Sequence, residues 1–205
     1  MTANVPNAIW EREIYGAGRF PRCPYAELAS FVYRNEPKQP RHQTRILEVG
    51  CGAGNNLWFF AHEGFQVAGT DCSESALSFA RHRIEADGLT ADLRHAAFPE
   101  VPFPDNSFEF VLDRAALSYV PVTVAAVTVA AVQRVLVPGG KFLFCPYAYQ
   151  AHNLEQALHY SEDMVKSLFK DGWNIIQWLQ VTTKDVLSGQ ENNREWKIGL
   201  EKVGP

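Results

Sequence analysis

No run of lysine or arginine, no Cys-x-x-C pair and no long apolar stretch occurs in the 205 residues of this chain, and each absence excludes a class of function. Without a basic face or tail, binding to a phosphate backbone lacks its electrostatic footprint, and the net charge of −4 points the same way. The expected partner is a small molecule, not nucleic acid. The four cysteines, Cys23, Cys51, Cys72 and Cys145, stand far apart, so neither a zinc knuckle nor a redox dithiol is available. They read as reduced thiols, and no metal site is expected. The longest apolar stretch, Val120 to Val132, is shorter than a bilayer requires and contains Pro121, Thr123 and Thr128. The first residues show no positive segment leading into an apolar one, so the expectation is a cytoplasmic protein with no membrane partner.

What is present is ordinary for a globular chain: 46% hydrophobic and 20% charged residues, enough to bury one full-sized core. We therefore expect one domain over residues 1–205. Its parts would be an N-terminal extension or lid (1–43), a central core (44–147) and a C-terminal part completing the sheet (148–205). The extension scatters Trp10, Tyr15, Phe20, Tyr25 and Phe31 among Gly16, Gly18, Pro21 and Pro24, a pattern of short helices and turns.

From Arg45 the pattern alternates. Arg45 to Gly50 is a short apolar run ending in glycine, read as a buried strand, and Asn55 to Glu63 follows as a helix. Phe65 to Thr70 is a second strand closed by Asp71, and Ser73 caps a helix over Glu74 to Asp87 that Gly88 ends. A third strand over Ala91 to His95 and a fourth over Ser107 to Asp113 are separated by Pro99, Pro102 and Pro104. Val122 to Val135 reads as a helix with Val124, Val127, Ala131 and Val135 on one face; Pro138-Gly139-Gly140 turns into a fifth strand, Lys141 to Pro146. Ser161 to Phe169 is a helix, and two late strands fall near Trp173 to Val181 and Arg194 to Val203. Strands and helices alternating this regularly form an α/β fold, a parallel sheet covered on both faces, with ligands bound beyond the carboxyl ends of the strands.

Between the first strand and its helix, Gly50, Gly52 and Gly54 occupy alternate positions where a ligand has to approach the backbone. The spacing departs from the dinucleotide pattern G-x-G-x-x-G, which wants glycine where Asn55 stands. Such a loop is also compatible with a mere tight turn. Asp71, at the end of the second strand, sits where open α/β folds place a carboxylate for two ribose hydroxyls; a solvated loop acid or helix cap is the plainer alternative. Loop and acid together point at one nucleoside.

Ile46-Leu-Glu-Val-Gly-Cys-Gly-Ala-Gly54, Val67-Ala-Gly-Thr-Asp71, Val101-Pro-Phe-Pro-Asp-Asn-Ser-Phe108 through Asp113, and Arg134-Val-Leu-Val-Pro-Gly-Gly140 occur in that order. With them the chain resembles the class I S-adenosylmethionine-dependent methyltransferases, particularly the broad small-molecule group, over about residues 44–147. The resemblance implies a Rossmann-like, doubly wound sheet of seven mostly parallel strands, the last antiparallel, with helices on both faces. It implies S-adenosylmethionine as cofactor and S-adenosylhomocysteine as product. Glu48, Gly50, Cys51, Gly52, Gly54 and Asn55 would serve the methionine part, Asp71 the ribose, and Cys72 the adenine. Ala96-Ala97 replaces the Gly-Asp of many relatives, so Ala97 and Phe98 would contribute through the backbone. Asp113 would complete the cofactor set.

A sulfonium methyl is already activated, so in-line displacement onto a small-molecule acceptor needs mainly alignment and exclusion of water. A neutral acceptor would still gain from a base. Asp113 and His152 are the candidates, Asp113 being alternatively a structural acid. Tyr15 and Arg19 would close the site as a lid or serve as a hydrophobic staple; Tyr119, where relatives often carry His, is a substrate-site candidate or a core aromatic. Two other functions stay open: a cofactor-binding protein that has lost turnover, and an NAD-dependent oxidoreductase. The latter lacks both the third glycine and a Tyr-x-x-x-Lys pair.

Overall fold

Strand burial in the computed structural model, which describes residues 10–18, 20–150 and 157–204, alternates between two apolar layers. Among the described residues eight strands form one sheet: β1 (Arg45–Val49), β2 (Gln66–Asp71), β3 (Asp92–His95), β4 (Phe108–Arg114), β5 (Leu136–Cys145), β6 (Tyr147–Gln150), β7 (Trp173–Lys184) and β8 (Glu191–Lys202). Their order is β3-β2-β1-β4-β5-β8, with β7 on the far edge of β8. The first five strands pair in parallel, and β8 is antiparallel to β5, β6 and β7, so β8 alone opposes the rest. The extra strand β6 continues the line of β5. Pro146 has no N–H to extend the ladder, but its carbonyl accepts from Trp196 N at 3.0 Å, and Tyr147 resumes pairing opposite Glu195. Counted as one interrupted strand, β5 and β6 leave the seven-stranded sheet that the family resemblance implies.

Among the described residues five α-helices cover the sheet: α1 (Ala26–Arg34), α2 (Asn55–His62), α3 (Glu74–Ala86), α4 (Val122–Val135) and α5 (Glu162–Leu168). Leu47, Val49, Val111, Phe142 and Phe144 face α4 and α5, meeting Val129, Val132 and Val165. The neighbouring positions Ile46, Phe110, Leu112 and Leu143 face the other way, against Leu28, Phe31 and Val32 of α1, Leu57 and Phe60 of α2, and Leu77 and Ile84 of α3. Period-two alternation therefore loads both faces, and each such side chain contributes about 1.5–3 kcal/mol by leaving water. Ser73 caps α3 as expected, its hydroxyl accepting from Ala76 N at 3.0 Å. Among the described residues no helix is long and apolar enough to cross a membrane.

Two local expectations change. The buried stripe of α4 is Ala125, Thr128, Val129, Val132 and Val135, while Val127 is 56% exposed. Thr128 can enter the core because its hydroxyl donates to Val124 O at 2.9 Å within the helix. The fifth strand also begins earlier, at Leu136. Leu136 pairs with Phe108 and Lys141 with Phe110, so Pro138-Gly139-Gly140 is a bulge inside the strand and not a turn before it.

Candidate active site

The carboxyl ends of β1, β2, β4 and β5 open on a cavity of about 660 Å3. β1 delivers Glu48 and the glycine loop to its floor, and all three loop glycines have positive φ. A Cβ on Gly54 would lie 2.7 Å from Ala80 Cβ of α3, so this glycine serves close packing of loop on helix. A Cβ on Gly52 would instead lie 2.5 Å from the Tyr15 hydroxyl, which stands over the loop.

Asp71 ends β2 beside that loop. Its Oδ2 accepts from Gly52 N and its Oδ1 from Ser73 N, both at 2.9 Å. Burial raises its pKa above the usual carboxylate value, with the two N–H donors pulling the other way. Each oxygen keeps a lone pair for a ligand hydroxyl. Cys72, Ala96, Ala97 and Phe98 extend the same wall toward β3.

Glu48 is buried on the floor, where Oε1 accepts from Asn56 Nδ2 at 2.6 Å and Oε2 has no hydrogen-bond partner. Burial pushes its pKa up to about 8, reinforced by Asp113 and Asp71 and opposed by Asn56. A cavity-lining residue with one unpaired, buried carboxylate oxygen suits a cationic ligand group. The methionine ammonium of S-adenosylmethionine is such a group, and the hydroxyl-accepting Asp71 suits its ribose, so the residues present fit this cofactor. Among the described residues no group of His, Cys, Asp and Glu could hold a metal ion.

Asp113 lies behind the wall. It is fully buried, its Oδ1 accepts from Leu117 N at 3.0 Å, its Oδ2 has no partner, and burial lifts its pKa to about 7. The carboxylate thereby holds the 3-10 turn Ala116–Tyr119, which carries Tyr119 to the cavity. Ser118 in that turn accepts through Oγ from Tyr147 N at 2.9 Å, fixing a second tyrosine on the wall. Tyr119 and Tyr147 meet edge to face, their ring centroids 6.3 Å apart.

The chain before α1 closes over this floor. Tyr15 ends a π-helical turn, Trp10–Tyr15, and lines the cavity, where burial and the neighbouring Asp71 push its phenol pKa up. Asn55 Nδ2 donates to Cys23 O at 2.8 Å, and Asn56 Oδ1 accepts from Tyr25 N at 2.9 Å. Asn55, expected to touch cofactor, thus also ties the covering segment to α2. Arg19 and His152 lie outside the described residues.

Sequence reasoning passed over Asn56, Tyr25, Tyr147 and, above all, Arg114. The last residue of β4, Arg114 lines the cavity and bridges Glu27 of α1 (Nε, 3.0 Å) and Glu195 of β8 (Nη2, 2.8 Å). Its place immediately after Asp113 at a strand's carboxyl end was the available signal; its partners, 87 and 81 residues away, were not.

Residues 46–140 match a family described as a methyltransferase domain. The chain is 31% identical over 157 residues to an uncharacterized protein of Haemophilus influenzae, covering 71% of this chain and 61% of that one. It is 31% identical over 152 residues to a demethylmenaquinone methyltransferase of Listeria welshimeri, covering 69% and 63%. The chain thus spans less than two thirds of these relatives' length. Among solved structures, a SAM-dependent methyltransferase from Methanosarcina mazei superimposes with a TM-score of 0.71 at 19% identity, covering 89% of this chain and 100% of the other, a likeness of fold.

Proposed function

We propose that the chain is a class I S-adenosylmethionine-dependent methyltransferase, a reading its match to a methyltransferase domain supports, and that it methylates a small-molecule acceptor by in-line displacement in the cavity above β1, β2, β4 and β5. The observation that carries this reading is the convergence of Asp71, the Gly52 backbone and the unpaired Glu48 Oε2 on one floor.

When bound, S-adenosylmethionine supplies a methyl carbon on a sulfonium sulfur; an acceptor lone pair forms the new bond as the carbon–sulfur pair returns to sulfur. The residues around it bind and align. Asp71 accepts from the ribose hydroxyls, and Glu48 receives the ammonium. Cys72, Ala97 and Phe98 flank the adenine, while Tyr15 covers the glycine loop and excludes water. Such alignment is worth about 7–11 kcal/mol in favourable cases. Asp113 acts as a positioning residue, holding the turn that presents Tyr119.

Titration calorimetry with S-adenosylhomocysteine and with NAD tests the premise of the site. Heat with the sulfur nucleoside and none with NAD is expected, and the reverse overturns the reading. Transfer of labelled methyl from S-adenosylmethionine into the small-molecule fraction of a cell extract tests the acceptor class; label entering only macromolecules would refute it.

A further inference from the structure

The part of the cavity above β4 and β5 is built differently from the cofactor floor. Tyr25, Arg114, Tyr119 and Tyr147 stand there together. Arg114 spends Nε on Glu27 and Nη2 on Glu195, and Glu27 also faces Lys197 Nζ at 3.6 Å. Its Nη1 has no hydrogen-bond partner among the described residues, although the side chain lines the cavity.

Two cations and two carboxylates cancel in this cluster. A ligand carboxylate would find a donor but no uncompensated positive charge to repay its desolvation. A ligand ammonium would face the guanidinium itself. The ring that could hold it is already engaged, since the Arg114 guanidinium lies 4.5 Å from the Tyr25 centroid and 5.9 Å from that of Tyr147. What the cluster does offer is the unpaired Nη1 amino group framed by aromatic rings, which favour flat partners in stacked or edge-on contact.

We propose that Arg114 reads the acceptor, its Nη1 donating to a carbonyl or hydroxyl oxygen of an uncharged, flat molecule held among Tyr25, Tyr119 and Tyr147. This rests on the methyltransferase reading of the cavity and names the substrate class for it. Arg114 is then the specificity residue of the acceptor half, and its two carboxylates fix the direction in which the donor points.

Three phenols whose para substituents are neutral, anionic and cationic test this: 4-hydroxyacetophenone, 4-hydroxybenzoate and tyramine, each titrated into protein saturated with S-adenosylhomocysteine. The neutral ketone is expected to bind about tenfold tighter than either charged analogue. Arg114→Lys should weaken the ketone by about tenfold or more, because a point donor cannot serve two carboxylates and the ligand together, while S-adenosylhomocysteine binds as before. Should Arg114→Lys fail to fold, Tyr147→Leu keeps the ion pairs and should cost the ketone about two- to tenfold. Equal or tighter binding of a charged analogue, no binding of the ketone, or a ketone affinity unmoved in the folded variants overturns the proposal while leaving the methyltransferase reading intact. Failure of S-adenosylhomocysteine to bind the parent overturns that reading and takes this proposal with it.

Discussion

Gly52 N donates to Asp71 Oδ2 at 2.9 Å, so the residue that would hold the ribose also holds the loop that would pass beneath the methionine. An acid facing only a polar cleft would contribute little to folding. Here two backbone donors, those of Gly52 and Ser73, depend on it.

Asp71→Ala should therefore weaken S-adenosylhomocysteine about tenfold to a hundredfold, one charge-assisted bond being worth about 1.5–3 kcal/mol. It should also lower the ligand-free melting temperature, since each kcal/mol lost at an orphaned donor is worth about 2–4 °C in a chain of this size. Asp71→Asn keeps one acceptor oxygen and should lose less of both. Calorimetry and thermal melts measure the pair; binding within about twofold of the parent would remove Asp71 from the ribose site.

Glu48 gives the site a pH dependence. Without ligand its pKa sits at about 8, above the ordinary 4.5, and a bound ammonium favours the ionised form. Binding must then release the proton, so S-adenosylhomocysteine affinity should rise from about pH 6 toward pH 8, by at most about tenfold per unit, and level off above. The folded value exceeds the unfolded one, so this group's contribution to ligand-free stability is present in acid and is lost as pH rises through about 8. Glu48→Gln should flatten both profiles. Parallel titrations of parent and variant across that range decide the matter, and an unchanged slope in the variant refutes the assignment.

Asp113→Asn distinguishes a positioning acid from a base. The amide oxygen can still accept from Leu117 N, so methyl transfer should stay within about tenfold of the parent. A rate lower by about a hundredfold or more in a variant that melts normally would restore Asp113 as the proton acceptor.

Gly52→Val places a side chain where the Tyr15 hydroxyl stands, on a backbone with φ of 52°. Loss of S-adenosylhomocysteine binding in a folded protein is expected; parent-like affinity would make the loop a turn and nothing more. In the same assay format, hydrogen exchange over residues 10–18 and 20–25 should slow when the nucleoside binds, because Tyr15 covers it. Exchange rates indifferent to ligand would leave that segment a fixed arm fastened by Asn55 and Asn56.

The sequence by itself determined the elements whose cause is local. Short apolar runs made β1, β2 and β4 legible, Ser73 announced α3, and the glycine loop followed by Asp71 marked the cavity end of the sheet, because each signal needs only neighbours within a few residues. Tertiary structure decided the rest. Which face of α4 is buried depended on the sheet it met, and whether Pro138-Gly139-Gly140 turned or bulged depended on Phe108 and Phe110 of the facing strand. Asp113 and Arg114 are consecutive, yet the first caps a buried turn while the second faces the cavity between Glu27 and Glu195. Alternation along β4 predicts that they point apart; only the long-range partners, brought together by the order of the strands, decide which of them meets a ligand.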